Sequence, residues 1–376
     1  MQDMAKTIKA HVFTDVPSIL FRKQSPGFKP IIGPVCVTFG LDIPDDIDVL
    51  IVYNRASYTI KTTLPKGRTA FIAAEPDVIH PYSRRFLNQF GLVVTTTHKT
   101  LETEKWWRGT CWYWFAGIDF AKYPEPDAFK GHDWFSNQEI PPKSDKISIV
   151  TSRKVATEYH RQRLGFVEKL IEMIPDHIEV FGKGFRSVDD KADALLPYKY
   201  HLAIENGEGP HAWTEKLVDP WLCWAFPFYA GCDNVEDYFP RQSFDYVDLS
   251  NPETQARRFV QEIENGRWDT ALHAITEARK RVLEEHNLMA LIGKVAQAAM
   301  QSPMPDTQRK KRYIWSERSL LPESDARGSL PEWALRNAVL AVYPGAELKT
   351  VALRRRLDKW RSVRRTRKAA RQEKSP

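Results

Sequence analysis

The sequence is poor in the features that define several classes of protein. Only four of its 376 residues are cysteines, and none has a CxxC or Cys/His ligand spacing, so neither a disulfide framework nor a zinc site is expected. The longest apolar run, Trp221 to Cys232, is twelve residues with Pro227 inside it, too short for a bilayer core of roughly 30 Å. The first nine residues lack the apolar stretch of a secretory signal. We therefore expect a protein on the cytoplasmic side of any membrane that it touches.

Two common phosphate-binding fingerprints are also missing, because the chain has neither GxGxxG nor GxxxxGK[ST]. The net charge of +7 is concentrated at one end: Lys349 to Pro376 carries twelve Lys/Arg against Asp358 and Glu373, a local +10. The remaining 348 residues sum to about −3. Residues 1–348 therefore lack the net positive charge of a basic nucleic-acid-binding protein.

The order of predicted elements indicates two α/β units. Apolar strands and helices alternate in the first third of the chain and again after a proline-rich stretch at 123–144, a pattern typical of parallel sheets covered on both faces. We predict two doubly wound lobes with a cleft between them, where open parallel sheets bind ligands. The predicted boundaries are 1–140 and 141–300 for the lobes, 301–348 for a linker with a helical segment, and 349–376 for a basic amphipathic tail.

The most informative segment is the strand Tyr198 to Asn206, followed by a Gly/Pro loop and then by Thr214-Glu215-Lys216. Thr214 is placed as the N-cap of the next helix, so backbone amides, a hydroxyl and the Lys216 ammonium would gather at a helix N-terminus. Such a place can hold a diphosphate. Ordinary helix capping would use the same residue types, and spacing alone favours that interpretation.

The wider segment resembles glycosyltransferase family 10, the α1,3/1,4-fucosyltransferases of bacterial type. YKYHLAIEN (198–206) and TEKLVDPWLCWAFPFYAG (214–231) match the family's Y-K-F-x-L-x-F-E-N, T-E-K and P-x-x-x-G pattern, and the resemblance covers roughly residues 146 to 265. It implies the GT-B arrangement of two Rossmann-like lobes, with GDP-fucose held mainly by the second. The residues that it implies for donor binding are Ser152, Arg163, Asn206, Trp213, Thr214, Glu215 and Lys216.

One position departs from the family pattern. Ala212 stands where the family often has an aromatic residue, so a transferase that uses another nucleotide sugar remains open, as does a nucleotide- or glycan-binding module without turnover. A nucleic-acid protein acting through its basic tail is a third alternative.

An inverting transfer needs a base that takes the proton from the acceptor hydroxyl, and a carboxylate in a dry cleft is suited to this role. Glu75 follows the predicted strand 69–74, and the resemblance implies that it is the general base. His80 and His98 are alternatives nearby. No DxD pair follows a predicted strand, and Arg163 and Lys216 could neutralise the leaving diphosphate, so we expect no cofactor and no essential metal.

Six aromatic rings lie between Trp106 and Phe115. Tryptophan rings suit stacking on sugar faces, but an aromatic core would account equally well for about half of these residues. We predict acceptor contacts for Trp106 and Trp112, together with His80.

The tail combines Leu353, Leu357 and Trp360 at helical spacing with eight Arg/Lys residues between 354 and 367. This pattern is typical of a helix on an anionic lipid surface, and each basic residue there contributes roughly 1 kcal/mol. A solvated tail or a nucleic-acid contact would be the alternative. The membrane interpretation predicts a peripheral protein on the inner face of the cytoplasmic membrane, with a surface-polysaccharide or lipopolysaccharide precursor as acceptor. A mobile linker is expected at 302–331.

Overall fold

The computed structural model describes residues 7–109, 112–153, 158–303 and 311–317, together with 334, 338, 339, 342 and 343. Two parallel sheets and one short antiparallel pair organise these residues. The strands are β1 (Ile8–Phe13), β2 (Ile31–Ile32), β3 (Val35–Gly40), β4 (Val49–Tyr53), β5 (Ile60–Thr62), β6 (Thr69–Ile72), β7 (Leu92–Thr95), β8 (Glu104–Trp107), β9 (Ser144–Val150), β10 (Ile178–Phe181), β11 (Tyr198–Ile204), β12 (Phe226–Ala230), β13 (Asp245–Tyr246) and β14 (Arg312–Ile314).

The first lobe is built on a seven-stranded sheet in the order β2-β3-β1-β4-β6-β7-β8, parallel except for the β2–β3 pair. Its central strand β4 is buried along its whole length. Successive side chains of a strand point to opposite faces, so Ile51 joins one apolar cluster and Leu50 and Val52 join the other. Both faces of this sheet are therefore covered, as the uninterrupted apolar strands predicted.

The second lobe is built on a five-stranded sheet in the order β10-β9-β11-β12-β13, with every pair parallel. The helices of the protein are α1 (Ser18–Arg22), α2 (Arg84–Leu87), α3 (His132–Ser136), α4 (Glu158–Met173), α5 (Glu215–Leu222), α6 (Pro252–Glu264), α7 (Arg267–Glu284) and α8 (Leu288–Met300). Helices α4 to α7 connect or follow the strands of the second sheet. Two doubly wound lobes are thus present, which confirms the predicted GT-B class.

The long helix that the sequence predicts from Trp268 to about Ala299 is two helices, α7 and α8. The break has a local cause. Asn287 has extended backbone angles, and its side-chain oxygen accepts a hydrogen bond from the amide of Ala290 at 2.8 Å. Asparagine is a favoured N-cap, so a new helix, α8, begins at Leu288.

The end of the described chain returns to the first lobe. Helix α8, which the predicted boundary assigns to the second lobe, packs against β1, β4 and β6. Strand β14 pairs antiparallel with β5, and Ile314 is fully buried there. Part of the predicted linker at 302–331 is therefore an ordered strand that adds to the first lobe. The predicted basic tail, 349–376, lies outside the described residues.

The described residues include no helix that is both long and apolar enough to cross a membrane.

Candidate active site

The cleft between the lobes contains a cavity of about 180 Å³. The first lobe contributes Glu75, which lies three residues after β6, and the second contributes Glu205 and Asn206, which directly follow β11. Both strands belong to parallel sheets, whose carboxyl ends are the usual place for ligands. The cavity is lined by Glu75, Pro76, Ile79, Trp112, Phe115, Glu205, Asn206, Gly207, Ala212, Thr214, Glu215 and Lys216.

Two loops meet beside Glu75 and bring the lobes into contact. A side chain added at Gly207, in the loop after β11, would come within 3.1 Å of Val78 and 3.2 Å of Ile79. A side chain at Gly207 would require those two side chains to shift by a few tenths of an ångström. The loop that follows Asn206 is therefore packed directly on the loop that follows Glu75.

Glu205 organises the wall of the second lobe. Its carboxylate is 1% exposed and accepts hydrogen bonds from the Thr214 amide at 2.8 Å and the Thr214 hydroxyl at 2.6 Å. Gly231, whose φ is +151°, lies so close that any side chain there would collide with Glu205. Burial raises the pKa of Glu205, although Lys216 acts in the other direction. The carboxylate thus fixes the N-cap of α5 in the cavity wall.

Lys216 is the cation of this wall. Its Nζ lies 3.1 Å from Glu215 Oε1 and 3.5 Å from Glu205 Oε2. Burial alone would lower the pKa of Lys216, but the two carboxylates outweigh it and the pKa is raised, so the side chain is an ammonium ion at neutral pH. Burial likewise acts to raise the pKa of Glu215, but Lys216 and Lys191 outweigh it and the pKa is lowered. The site therefore keeps one fixed positive charge beside an ionised Glu215.

Glu75 faces this charge from the first lobe. It is half-buried, and burial raises its pKa above the ordinary value, while Lys216 is the strongest influence in the opposite direction. A carboxylate with a raised pKa is a better proton acceptor than an exposed one. The structure thus brings the predicted base and the predicted donor-binding lysine to one cavity.

Arg163 reaches the site through Asn206. Its Nη1 donates a hydrogen bond to Asn206 Oδ1 at 2.9 Å, and the residue is 9% exposed. The Nε of Arg163 is buried without a hydrogen-bond partner among the described residues. A buried guanidinium donor without a partner is costly. Arg163 itself is not among the residues that line the cavity, which it approaches only through Asn206.

The other predicted donor-binding residues divide between the cavity and the core. Thr214 lines the cavity and caps α5, since its hydroxyl accepts from the Lys216 amide at 3.4 Å. Trp213 is 2% exposed and packs against Tyr238 and Phe239, so the structure places it behind the cavity wall. Ser152 is half-buried two residues after β9 and does not line this cavity.

Of the predicted acceptor residues, only Trp112 lines the cavity. His80 Nε2 lies 2.9 Å from Glu317 Oε1, so its ring is directed to the residues that follow β14. Trp106 belongs to β8, and its Nε1 donates to Glu104 Oε1 at 2.8 Å. His98 packs its ring on Trp107. Neither histidine lies among the cavity-lining residues.

Side chains of both lobes hold the segment that carries Trp112 and Phe115. The ammonium of Lys23, which is fully buried, donates to the carbonyls of Trp114 at 3.0 Å and Ala116 at 2.7 Å. Burial lowers the pKa of Lys23 to about 7. From the second lobe, Asp219 accepts from the amide of Ala116 at 3.2 Å. The aromatic wall of the cavity is thereby fixed to both lobes.

Helix α5 couples this wall to the donor side. Its first turn carries Glu215 and Lys216, and Asp219 follows one turn later. The same oxygen of Asp219, Oδ2, also accepts a hydrogen bond from Lys191 Nζ at 2.9 Å. One helix therefore positions the ammonium and the backbone beneath the aromatic rings.

Sequence reasoning missed Glu205 as a site residue and the clamp formed by Lys23 and Asp219. The available signal for Glu205 was its place at the end of a predicted strand, directly before a Gly/Pro loop. No local signal marks Lys23 and Asp219, because each lies far in sequence from the 114–116 segment that it contacts.

A family model and solved structures complete the description of the site. Two Rossmann-like lobes place a carboxylate and a buried ammonium on opposite sides of one cleft, which is the GT-B arrangement. Residues 140–266, about a third of the chain, match the family model described as glycosyltransferase family 10 (fucosyltransferase) C-term. The chain is a glycosyltransferase, and over these residues its second lobe is similar to the C-terminal domain of family 10.

The chain is also similar to solved glycosyltransferase structures. An α1,3-fucosyltransferase with GDP-fucose is 16% identical, with 82% of this chain and 94% of that chain covered and a TM-score of 0.42. The same enzyme type with GDP is 17% identical, with 81% and 93% covered and a TM-score of 0.45. The trehalose-6-phosphate synthase OtsA is 9% identical, with 70% and 74% covered and a TM-score of 0.43. No curated protein matches the sequence.

Proposed function

We propose that the protein is an inverting fucosyltransferase that moves L-fucose from GDP-fucose to a hydroxyl group of a glycan acceptor. The observation that carries the proposal is the meeting of Glu75 and Lys216 in one cavity, from opposite lobes. The family match of the second lobe supports fucosyl transfer. The solved α1,3-fucosyltransferases are named as complexes with GDP-fucose and GDP, and this is the donor that we infer here.

In the proposed reaction, the acceptor oxygen attacks the anomeric carbon from the face opposite the diphosphate. Glu75 takes the proton of the acceptor hydroxyl as the new C–O bond forms. The bond between the anomeric carbon and the phosphate oxygen breaks, and GDP leaves with the electron pair. Positive charge fixed at Lys216 and Arg163 stabilises the negative charge that develops on the diphosphate, without reorganisation during the reaction.

The second lobe would hold most of the donor. Lys216 and the N-terminus of α5 would contact the phosphates, Arg163 would approach them beside Asn206, and Glu215 would contact a sugar or ribose hydroxyl. The cavity of about 180 Å³ is smaller than the roughly 300–1,000 Å³ of most small-molecule sites. It therefore suits the reacting groups, fucose and its adjoining phosphate, better than the whole nucleotide sugar.

Donor identity is tested by thermal stabilisation with a panel of nucleotides. We expect GDP and GDP-fucose to raise the Tm, because a ligand that binds only the folded state adds roughly 2.7 kcal/mol at one hundred times its Kd. UDP, UDP-glucose and GDP-mannose are the comparison set. A larger rise in Tm with another nucleotide sugar would indicate that this compound, and not GDP-fucose, is the donor. The departure from the family pattern at Ala212 would agree with that result.

We also propose that transfer needs no metal ion, because Lys216 and Arg163 supply the positive charge at the leaving group. We expect full activity after treatment with EDTA and no gain on adding Mg²⁺ or Mn²⁺. A loss with EDTA that Mn²⁺ restores would refute this part of the proposal.

The proposed cellular setting is the inner face of the cytoplasmic membrane, with a surface-polysaccharide or lipopolysaccharide precursor as acceptor. It rests on the local charge of +10 at Lys349 to Pro376. Deleting residues 349–376 should release the enzyme from vesicles containing anionic phosphatidylglycerol while leaving transfer to a soluble acceptor intact. Vesicle binding that is equal with and without the tail, or equal on neutral vesicles, would contradict it.

A further inference from the structure

A second concave surface lies on the same edge of the first sheet as Glu75. It is an open groove of about 660 Å³ at the carboxyl ends of β1 and β3. Since β3, β1, β4 and β6 are parallel neighbours in that order, the groove and Glu75 face the same side. At roughly 4.8 Å between strands, β1 and β3 lie about 10 and 14 Å from β6 along this edge.

One wall of aromatic rings connects the groove with the cleft. Phe39 lines the groove and Trp112 lines the cavity at Glu75. Between them, the ring centroids of Phe39 and Phe21 are 4.9 Å apart, those of Phe21 and Tyr53 are 5.1 Å apart, and those of Tyr53 and Trp112 are 6.4 Å apart. Phe21 and Tyr53 are buried. The four rings therefore form a continuous rigid backing for both concave surfaces.

The groove is built from groups that recognise sugars. Its polar lining includes the carboxylates of Asp15 and Asp42 and the hydroxyl residues Thr14 and Ser18, and Phe39 is half-buried beside them. Carboxylate oxygens accept hydrogen bonds from hydroxyl groups, and aromatic rings pack on the C–H faces of sugars. Of the described residues that line the groove, the charged ones are the acids Asp15 and Asp42, so a phosphorylated or carboxylated sugar would meet like charge from them.

We propose that this groove is an outer acceptor subsite, which binds a sugar residue beyond the one that receives fucose. The inference rests on the proposed function and deepens it. An acceptor that fills both places spans the edge from β6 to β1 or β3, so it is an oligosaccharide of several residues. The part that lies in the groove is uncharged. A short acceptor would react at Glu75 without contacting Asp15 or Asp42.

The test uses a panel of fluorescently tagged, uncharged oligosaccharides of one to six residues, with GDP-fucose as donor. Wild-type enzyme should show kcat/KM rising at least tenfold between the shortest acceptor that reacts and acceptors two or three residues longer. Asp42→Ala should remove most of that gain and leave kcat/KM for the shortest acceptor and KM for GDP-fucose within about twofold. Asp45→Ala, which changes an exposed acid outside the groove, is the matched control and should keep the full gain.

Three results would overturn the subsite. The gain with length could be absent, the Asp42→Ala loss could be equal for short and long acceptors, or acceptors with a phosphorylated outer residue could react best. If no oligosaccharide reacts, saturation-transfer NMR with the same panel is the deciding measurement. The saturation-transfer signal of the longer sugars should be weaker with Asp42→Ala than with wild type, and unchanged with Asp45→Ala. Absence of any such signal refutes the subsite, whereas absence of both GDP-fucose stabilisation and turnover refutes the proposed function.

Discussion

Replacing Glu75 by Gln should lower kcat at least a hundredfold while leaving the affinity for GDP-fucose nearly unchanged. The amide keeps the shape of the side chain but cannot accept the acceptor proton, and general-base catalysis contributes roughly 10²–10⁴-fold. Steady-state transfer and calorimetric GDP-fucose binding give the two quantities. Glu102→Gln, a change of an exposed acid in the same lobe, should leave both unaltered.

The pH dependence adds a second criterion for Glu75. Its pKa is raised by burial, and the base acts only when deprotonated. The rate should therefore rise with pH through an inflection above the ordinary glutamate value of roughly 4.3. That inflection should be absent from the residual activity of Glu75→Gln. A variant that keeps full activity and the same profile would show that another group removes the proton.

Replacing Lys216, which lies on the wall of the cleft opposite Glu75, should cause the second-largest loss of activity. We expect Lys216→Met to lower kcat/KM for the donor by at least a hundredfold, because a preorganised charge at a leaving group is typically worth about 10²–10³-fold. The change also leaves Glu205 and Glu215 buried without their ammonium partner. Breaking such a pair costs about 3–5 kcal/mol, so unfolding must be measured in parallel.

Lys216→Arg keeps the charge and guards against a simple failure to fold. It should restore a substantial part of the stability, while transfer stays well below wild type because the guanidinium cannot occupy the place of the ammonium. Lys169→Met removes an exposed lysine paired with Glu172 and is the matched control. If Lys216→Met had the same kcat/KM for the donor as the wild-type enzyme, the lysine would have no part in the mechanism.

The second lobe could be predicted closely because its local and tertiary signals agree. Strand β11 begins at the predicted Tyr198, and Thr214 is the N-cap that its residue type favours. The first lobe was harder to predict. Strand β8 lies at the edge of the sheet and mixes charged and aromatic residues, so it lacks the apolar run of a buried strand.

Long-range contacts explain what the sequence could not show. The break between α7 and α8 depends on a single capping asparagine inside a helix-favouring stretch. The return of β14 to β5 joins residues some 250 positions apart. The contacts of Lys23 and Asp219 with the 114–116 segment join residues 91 to 103 positions apart. Periodicity and capping rules describe neighbours along the chain and contain no information about such partners.

The most direct measurement of the central claim is a crystal structure of the protein with GDP. The account predicts the diphosphate within hydrogen-bond distance of Lys216 and Arg163 at the start of α5, with the carboxylate of Glu75 facing the terminal phosphate across the cleft. A diphosphate bound elsewhere, or a Glu75 side chain directed away from the nucleotide into solvent, would contradict it.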